Sequence, residues 1–592
     1  MRPIKDLPIN PGLVTNDTDR SLTNRWKDGD KVRFHRGLPE KMGGWEKAST
    51  NQFVGVCRSL LNWQSHSTVN YIGLGTHRRL YVYNAGIFSN ITPYDETGTL
   101  GSNAFTMVDE SAAVTVADTS HNRSKGGFVN FSGASAAHGI TINGEYEVTS
   151  VTSANAYVIT HSSAATASGT GGGASIAYSY ELPAGFESSV FGLGWGAGTW
   201  SQSTWSTARS TSNFLLEARI WTLDKWGEDF IASPTNGKIY VWDTSGGTGA
   251  RAAIAHSNAP TVNNSIMVSP ENQHLVSLGS QVGSNEEPML IKWSSSEDYT
   301  AWTATSTNTA GSKRLNLGSE IVCGVKGSKE ILVFTDTHVY SMFFTGPPLI
   351  FSFSPVAHNG GIRGKNAAKE YNGVVYWMGE KNFYFYNGNV NVLNCDVWAK
   401  IFDDSNYTQR AKTIAAVNSN FGEVWWFYVS ADSEEIDRYV VFSAVEKHWT
   451  FGELSRTCYV GDSSLFPRPF ATSNGYLYDH EVGVDDDGSA MASSLSSYDM
   501  EIGDGDEMAH VSILLPDFKV LTGSINVQMK AKRYAQSTEE RDGEIVNVTS
   551  TTEFINPRIK GRQISLHFTT TDAGDDWRLG TTRAGFRPHG KK

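Results

Sequence analysis

Three runs of adjacent carboxylates invite a chemical reading first: Asp403-Asp404, Asp485-Asp486-Asp487 and Asp575-Asp576. Hard oxygen ligands at close spacing suit a calcium ion. None of the three follows the DxDxDG spacing of a calcium loop, so each reads as a solvated linker or turn. No GxSxG elbow, no HExxH and no paired His/Cys spacing occurs, so nucleophilic and zinc chemistry lack their usual residues. His77, His338 and His448 fall in or beside strand patterns and read as turn or core histidines. Cys57, Cys323, Cys395 and Cys458 are far apart and share no CxxC; they read as isolated thiols. GTGGGA, residues 169–174, lacks the Lys-Ser/Thr ending of a phosphate loop and no helix pattern follows it. GLGWGAGTW, residues 192–200, with Trp205 beyond it, packs rings against close backbone as a structural loop, the alternative being a sugar platform. Arg78-Arg79 and the tail Lys591-Lys592 are short basic patches, read as solvated. No catalytic residue, cofactor site or metal site is expected, and the chain does not read as an enzyme.

The elements around these residues are strands. Gly is abundant (58 of 592 residues), aromatics reach 11% and charged residues only 19%, which favours a folded all-β chain with many turns and several domains. The formal net charge is −12. A protein whose main task is gripping nucleic acid neutralises phosphates with Lys and Arg, so that task is disfavoured, though DNA passing nearby is not. The first residues lack the apolar core of a signal peptide, and no stretch approaches the roughly 20 apolar residues of a membrane helix.

One hairpin pattern recurs: residues 71–86, 230–246, 331–346, 374–388 and 470–483 each read as strand, tight turn, aromatic strand, exit turn. The turn glycines Gly346 and Gly388 are 42 apart, in keeping with a repeat of roughly 40 to 50 residues and four-stranded blades. Tyr81, Tyr83, Tyr240, Trp242, Tyr384, Tyr386, Tyr476 and Tyr478 alternate in the strand after the turn and are expected to fill the wedges between blades. The expected fold is an all-β propeller of about six blades with an inserted small β domain and a C-terminal β-sandwich-like domain. The division runs as an extended arm and hairpin (1–47), a first propeller element (48–97), an Ala/Ser/Thr/Gly-rich insert (98–182), the main propeller (183–483) and a C-terminal β domain (484–592). Within the insert, TINGEYEVTSV (141–151) reads as strand-turn-strand, and residues 405–417 are the best helix candidate.

Three phrases carry a family resemblance: RWKDGDKVRFHRGLPEKMGGW (25–45), the loop GLGWGAGTW leading to LDKWGEDFIASPTNGKIYVWD (223–243), and DDWRLGTTRAGFRPHG (575–590). Together they resemble a family of virion structural proteins of short-tailed bacteriophages, most similar to the tail nozzle or hub proteins (tail tubular protein B-like). The resemblance implies a non-enzymatic subunit of a hexameric ring below a dodecameric tail adaptor. That ring retains genomic DNA and then passes it without sequence-specific binding, and tail fibres or other tail proteins are its further partners. The implied location is the virion tail, after synthesis in the host bacterial cytoplasm. The rival class is a carbohydrate-binding or sialidase-like propeller acting in receptor recognition. SEDYTAW (296–302) approaches the SxDxGxTW box of such propellers but lacks its glycine and is one residue short.

Overall fold

The computed structural model describes the chain apart from residues 1–3, 20, 192–214, 284, 502–507, 535 and 591–592. The GLGWGAGTW loop, Trp205 and Lys591-Lys592 therefore lie outside the described residues. The chain is an all-β, propeller-like fold. Among the described residues only Trp398–Phe402 forms an α-helix, with short 3₁₀ turns at Thr244–Gly246 and Arg410–Lys412. The helix expected over 405–417 is absent. Its C-terminal part, Ile414–Asn418, is instead a strand paired with Glu423–Tyr428, and its buried Ile414, Ala415 and Ala416 lie opposite Phe427, Trp426 and Trp425.

The chain divides into two compact units: Met1–Thr50 with Val325–Phe343 and Phe353–Lys592, and Asn51–Gly324 with Phe344–Ser352. The second unit holds three four-stranded antiparallel sheets, whose first strands are Cys57–Gln64, Trp221–Trp226 and Ser265–Val268. The first unit holds five four-stranded sheets, three of them opened by Ala368–Tyr371, Ile414–Asn418 and Cys458–Val460, the other two joining N-terminal and C-terminal strands. A further sheet, opened by Ile321–Lys326, supplies residues to both. From residue 221 onward the first strands begin at 221, 265, 321, 368, 414 and 458, steps of 44 to 56 residues. The five hairpins legible in the sequence are the two inner strands of their sheets. The last sheet has only three strands of its own, and Trp45–Lys47 completes it by pairing with Tyr476–His480.

Between the first two sheets of the second unit run Tyr94–Leu100 and Ile176–Glu181, which pair with each other and belong to an eight-stranded sheet. This element buries its own core, with Phe105, Phe131, Tyr157 and Ile159 at 1% exposure or less. Gly169–Gly171 is a strand here, paired with Phe105–Met107, so GTGGGA is not a phosphate loop. The strand-turn-strand expected over 141–151 is a single strand, Gly144–Ser153. The Asn143 amide turns back instead to the Ala134 backbone, accepting from its N–H at 2.9 Å.

The first two sheets of the second unit meet through rings set against glycines. Trp63 stacks on Phe230 at 4.9 Å with 5° between ring planes, and Trp242 crosses Tyr71 edge-on at 5.6 Å. Gly73 and Gly75, alternate residues of Asn70–Thr76, leave that space open. A Cβ at Gly73 would stand 2.5 Å from the Phe230 ring, and one at Gly75 2.6 Å from Trp221. Gly75→Ala is therefore expected to overpack this interface and destabilise the protein by about 1–3 kcal/mol, read as a lowered denaturation midpoint. Gly86→Ala, at a turn with no neighbour within 4 Å, strains only a positive φ. A Gly75→Ala midpoint equal to that of the native protein would refute ring-into-glycine packing.

Candidate functional site

The N-terminal phrase 25–45 folds back on its own chain. Val32–His35 and Leu38–Lys41 form a hairpin whose turn, Arg36 at φ 53° and Gly37 at φ 75°, is held by the Glu446 carboxylate; its oxygens accept from both backbone N–H groups at 2.5 and 2.9 Å. Arg33, 2% exposed, is the centre of this hairpin's contacts. Its Nε and Nη2 donate to Glu423 at 3.0 and 3.1 Å, and its Nη1 donates to Glu481 at 2.9 Å. The Phe421 ring covers the guanidinium at 3.6 Å. Asn418 donates to Glu481 and Trp425 to Glu423, each at 3.0 Å, so the carboxylates have partners beyond the arginine. Burial disfavours the Arg33 charge, but the two carboxylates outweigh it and raise its pKa further above the ordinary value. Burial pushes Glu423 up, with Arg33 opposing.

A second set of contacts brings in the C-terminal phrase 575–590. Leu38–Lys41 touches Asp576–Leu579 in one sheet, where Glu40 pairs with Arg578 at 3.2 Å and Arg578 also donates to the His35 carbonyl at 2.7 Å. Lys41 Nζ donates to the Asp575 carbonyl at 2.7 Å. Ile4–Asp6 pairs with Arg583–Pro588, and Arg25–Asp30 with Ser493–Ser497. Both of these resemblance-carrying phrases, more than 500 residues apart, are thus one joint. The third set closes the last sheet. Trp45 stacks on His480 at 5.2 Å and donates its indole N–H to Asp486. Arg456 donates to His480 Nε2 at 2.9 Å and lies between the Trp45 and Tyr478 rings. Burial, then the Arg456 charge, hold His480 well below the ordinary imidazole pKa; burial brings Arg456 down to about 10.

These contacts correct the reading of two of the three acidic runs, Asp485-Asp486-Asp487 and Asp575-Asp576. Asp485 accepts from the Gly574 N–H at 2.8 Å and Asp487 pairs with Lys47 at 2.7 Å. Asp575, 3% exposed, accepts from the Ser524 N–H at 2.8 Å. They are structural acceptors whose partners lie far away in sequence, not solvated linkers. Arg78-Arg79 needs the same correction: Arg79 is 5% exposed and pairs with Glu181 at 2.8 Å and Glu145 at 2.7 Å, while Arg78 pairs with Glu147 at 2.8 Å. Arg251 joins them on Glu181 at 2.8 Å. His77 accepts from the Val56 N–H at 3.0 Å, His338 meets His358 edge-on, and His448 is buried against Phe34. In SEDYTAW, Asp298 accepts from Thr300 N–H and hydroxyl at 2.8 and 2.6 Å, a local turn. The four cysteines are free thiols, three of them buried. Among the described residues no group of three or more His, Cys, Asp or Glu is placed to hold a metal ion, and no helix is long and apolar enough to cross a membrane.

The eight aromatics divide by contact. Trp242 reaches Trp63 and Tyr71 of the preceding sheet, and the Tyr386 hydroxyl reaches Glu330 ahead of the strand Ile331–Thr335. Tyr81 and Tyr83 meet Phe88, Tyr240 meets Trp221, and Tyr384 stacks on Trp377 within their own sheets. Tyr476 and Tyr478 lie under Lys47 and Arg456.

No family model and no curated protein matches the chain. Among solved structures it is similar to the endosialidase of phage phi92, at 11% identity over 76% of this chain with a TM-score of 0.18; it spans 58% of that chain's length. A chain in a Saccharomyces cerevisiae complex of Dbp5 with Nup159 and Gle1 is 9% identical over 46% of this chain and 80% of that one, with a TM-score of 0.26. Overlap at these scores carries no functional argument.

Removing Arg33 would leave two buried carboxylates without their cation. Arg33→Met is expected to cost about 3–5 kcal/mol in chemical denaturation, and adding Glu423→Gln to recover part of it; a loss below about 1 kcal/mol would show the cluster to be incidental. His480 generates a pH prediction. It stays neutral in the folded chain, whereas the unfolded imidazole takes up a proton below about 6.5. The unfolded state then binds more protons, so stability falls as pH drops below about 6.5, by up to about 1.4 kcal/mol per pH unit. His480→Gln, whose amide oxygen still accepts from Arg456, removes this term. Its Tm should fall less steeply than the native protein's between pH 7 and 5; parallel curves would count against a neutral buried His480.

Proposed function

We propose that this chain is a structural tail protein of a short-tailed bacteriophage, one subunit of the nozzle or hub ring that continues the DNA ejection channel below the adaptor. The observation that carries the reading is the joint between the chain ends. The N-terminal and C-terminal phrases of the resemblance form a single hydrogen-bonded and ion-paired body. Sheet pairing of Ile4–Asp6 with Arg583–Pro588 and of Leu38–Lys41 with Asp576–Leu579 ties distant parts of the sequence together, which suits a tube wall under load. The net charge of −12 supports the same reading, because a negative wall repels DNA phosphates and lets the genome slide.

The subunit acts by assembly and passage rather than by catalysis, in the virion, after synthesis in the host cytoplasm. A hexamer seated on the tail adaptor is the expected state, since closed rings are built from heterologous contacts. The eight-stranded insert, with its own core, is the element offered to tail fibres or other tail proteins.

Native mass spectrometry of the purified chain, alone and mixed with the adaptor ring, tests this. Six copies, free or on the adaptor, are expected. A trimer, or a monomer that ignores the adaptor, would overturn the ring and turn attention to receptor binding.

A further inference from the structure

Away from the joint, the C-terminal strands hold a cleft of about 660 Å³, lined among others by Lys532, Arg533, Arg541, Lys560, Ser537 and Thr538. Two carboxylates, Glu539 and Glu540, line it against the four cations Lys532, Arg533, Arg541 and Lys560, and the strand ladder uses Glu540. Glu540 pairs with Lys530 at 3.3 Å and Lys532 at 3.8 Å, Asp542 pairs with Lys530 at 3.3 Å, and Lys532 also pairs with Asp499 at 2.9 Å. Arg533 and Arg541 are exposed, and among the described residues neither has an ion pair. The Lys560 ammonium donates to His589 Nε2 at 2.9 Å, a base set beside a base. Positive charge therefore stays unspent around a concave surface that also offers two hydroxyls.

An exposed aromatic residue directly follows the lining residue Arg533 in sequence. Tyr534, which follows Arg533, is 59% exposed, and the Arg562 guanidinium covers its ring at 4.6 Å. A cationic groove with an exposed, arginine-backed ring is the pairing that binds single strands: the cations take phosphates and the ring takes an unpaired base face. Duplex DNA hides its base faces, and an acidic peptide has no use for the ring. We propose that this cleft binds single-stranded nucleic acid, with Arg533, Arg541 and Lys560 on the phosphates and a base stacked on Tyr534. The site is local. Lys and Arg outnumber Asp and Glu by 13 to 9 over residues 509–592, in a chain that is −12 overall.

The proposal stands apart from the ring reading and is tested on the chain alone. A fluorescein-labelled dT10 is titrated with the protein and followed by anisotropy. Saturable binding is expected, weakening roughly 20- to 50-fold between 50 and 200 mM salt for three or four phosphate contacts. Arg541→Glu and Arg533→Glu should each weaken binding more than Lys519→Glu, an exposed lysine outside the cleft that makes the same charge change. Tyr534→Ala should weaken it at least about fivefold. Circular dichroism of each variant at the titration temperature separates lost binding from lost folding, and the exposure of these side chains favours intact folds. Absence of binding, or equal loss in Lys519→Glu, would overturn the site. Binding indifferent to Tyr534→Ala and displaced equally by decaglutamate would replace it with an acidic protein partner, and tighter binding of a labelled duplex would overturn the single-strand assignment.

Discussion

The first unit depends on one buried guanidinium. Arg33 has two carboxylates to satisfy, Glu423 from an inner strand of one sheet and Glu481 just beyond the last strand of the next. Burying three charges is costly, and only close geometry with further hydrogen bonds repays it. That geometry also admits a single register. Sliding Val32–His35 by one residue would turn Arg33 to the opposite face of its hairpin and put an apolar neighbour against the two acids. The N-terminal hairpin therefore sets its own position relative to strands some 390 and 448 residues later. Arginine suits the task because its planar fork serves both carboxylates at once, where a lysine offers a single point of charge.

The second unit uses the same device with the signs redistributed. Glu181, 2% exposed at the side chain, sits between Arg79 and Arg251, and Glu145 takes a second contact from each arginine at 2.7 and 3.6 Å. Here two cations face two acids, and Phe128 covers the Arg79 guanidinium at 3.4 Å. The insert is tied to its sheet by charge, then, while its own core is apolar. Removing the insert would strand buried arginines, so independence of its core is not independence of its attachment.

Much of the architecture was legible because inner strands of a meander carry their own punctuation: alternating rings, then Asn, Gly or Asp at the turn. Two sheets escaped this reading. Glu423–Tyr428 and Arg438–Ser443 are joined by a long acidic loop, and Leu275–Val282 is interrupted by Gly279 at φ 59°, where the register with Asn285–Trp293 shifts. The aromatics were assigned by alternation alone, which places a ring on a face without saying what lies opposite. The better signal was the glycine pair in YIGLGT, since Gly73 and Gly75 mark where Phe230 and Trp221 enter. The run Asp485-Asp486-Asp487 was misread for a different reason: Trp45, Lys47 and Gly574 lie 441, 440 and 89 residues from the aspartates they contact, and no local pattern carries that information.

Charge segregation lets opposed requirements coexist in one chain. With 13 cations against 9 acids in residues 509–592, the remaining residues carry 36 Lys and Arg against 52 Asp and Glu, a formal −16. Surface charges act over about 8–10 Å at physiological salt, so a basic cleft and an acidic wall more than a few Debye lengths apart do not cancel each other. A chain that is acidic overall and a local groove that holds phosphate are therefore compatible. Of the acids around the cleft, Glu540, Asp542 and Asp499 pair with Lys530 and Lys532, which leaves Glu539 facing the remaining cations. The cations left over, Arg533 and Arg541, are exposed and have no ion pair among the described residues.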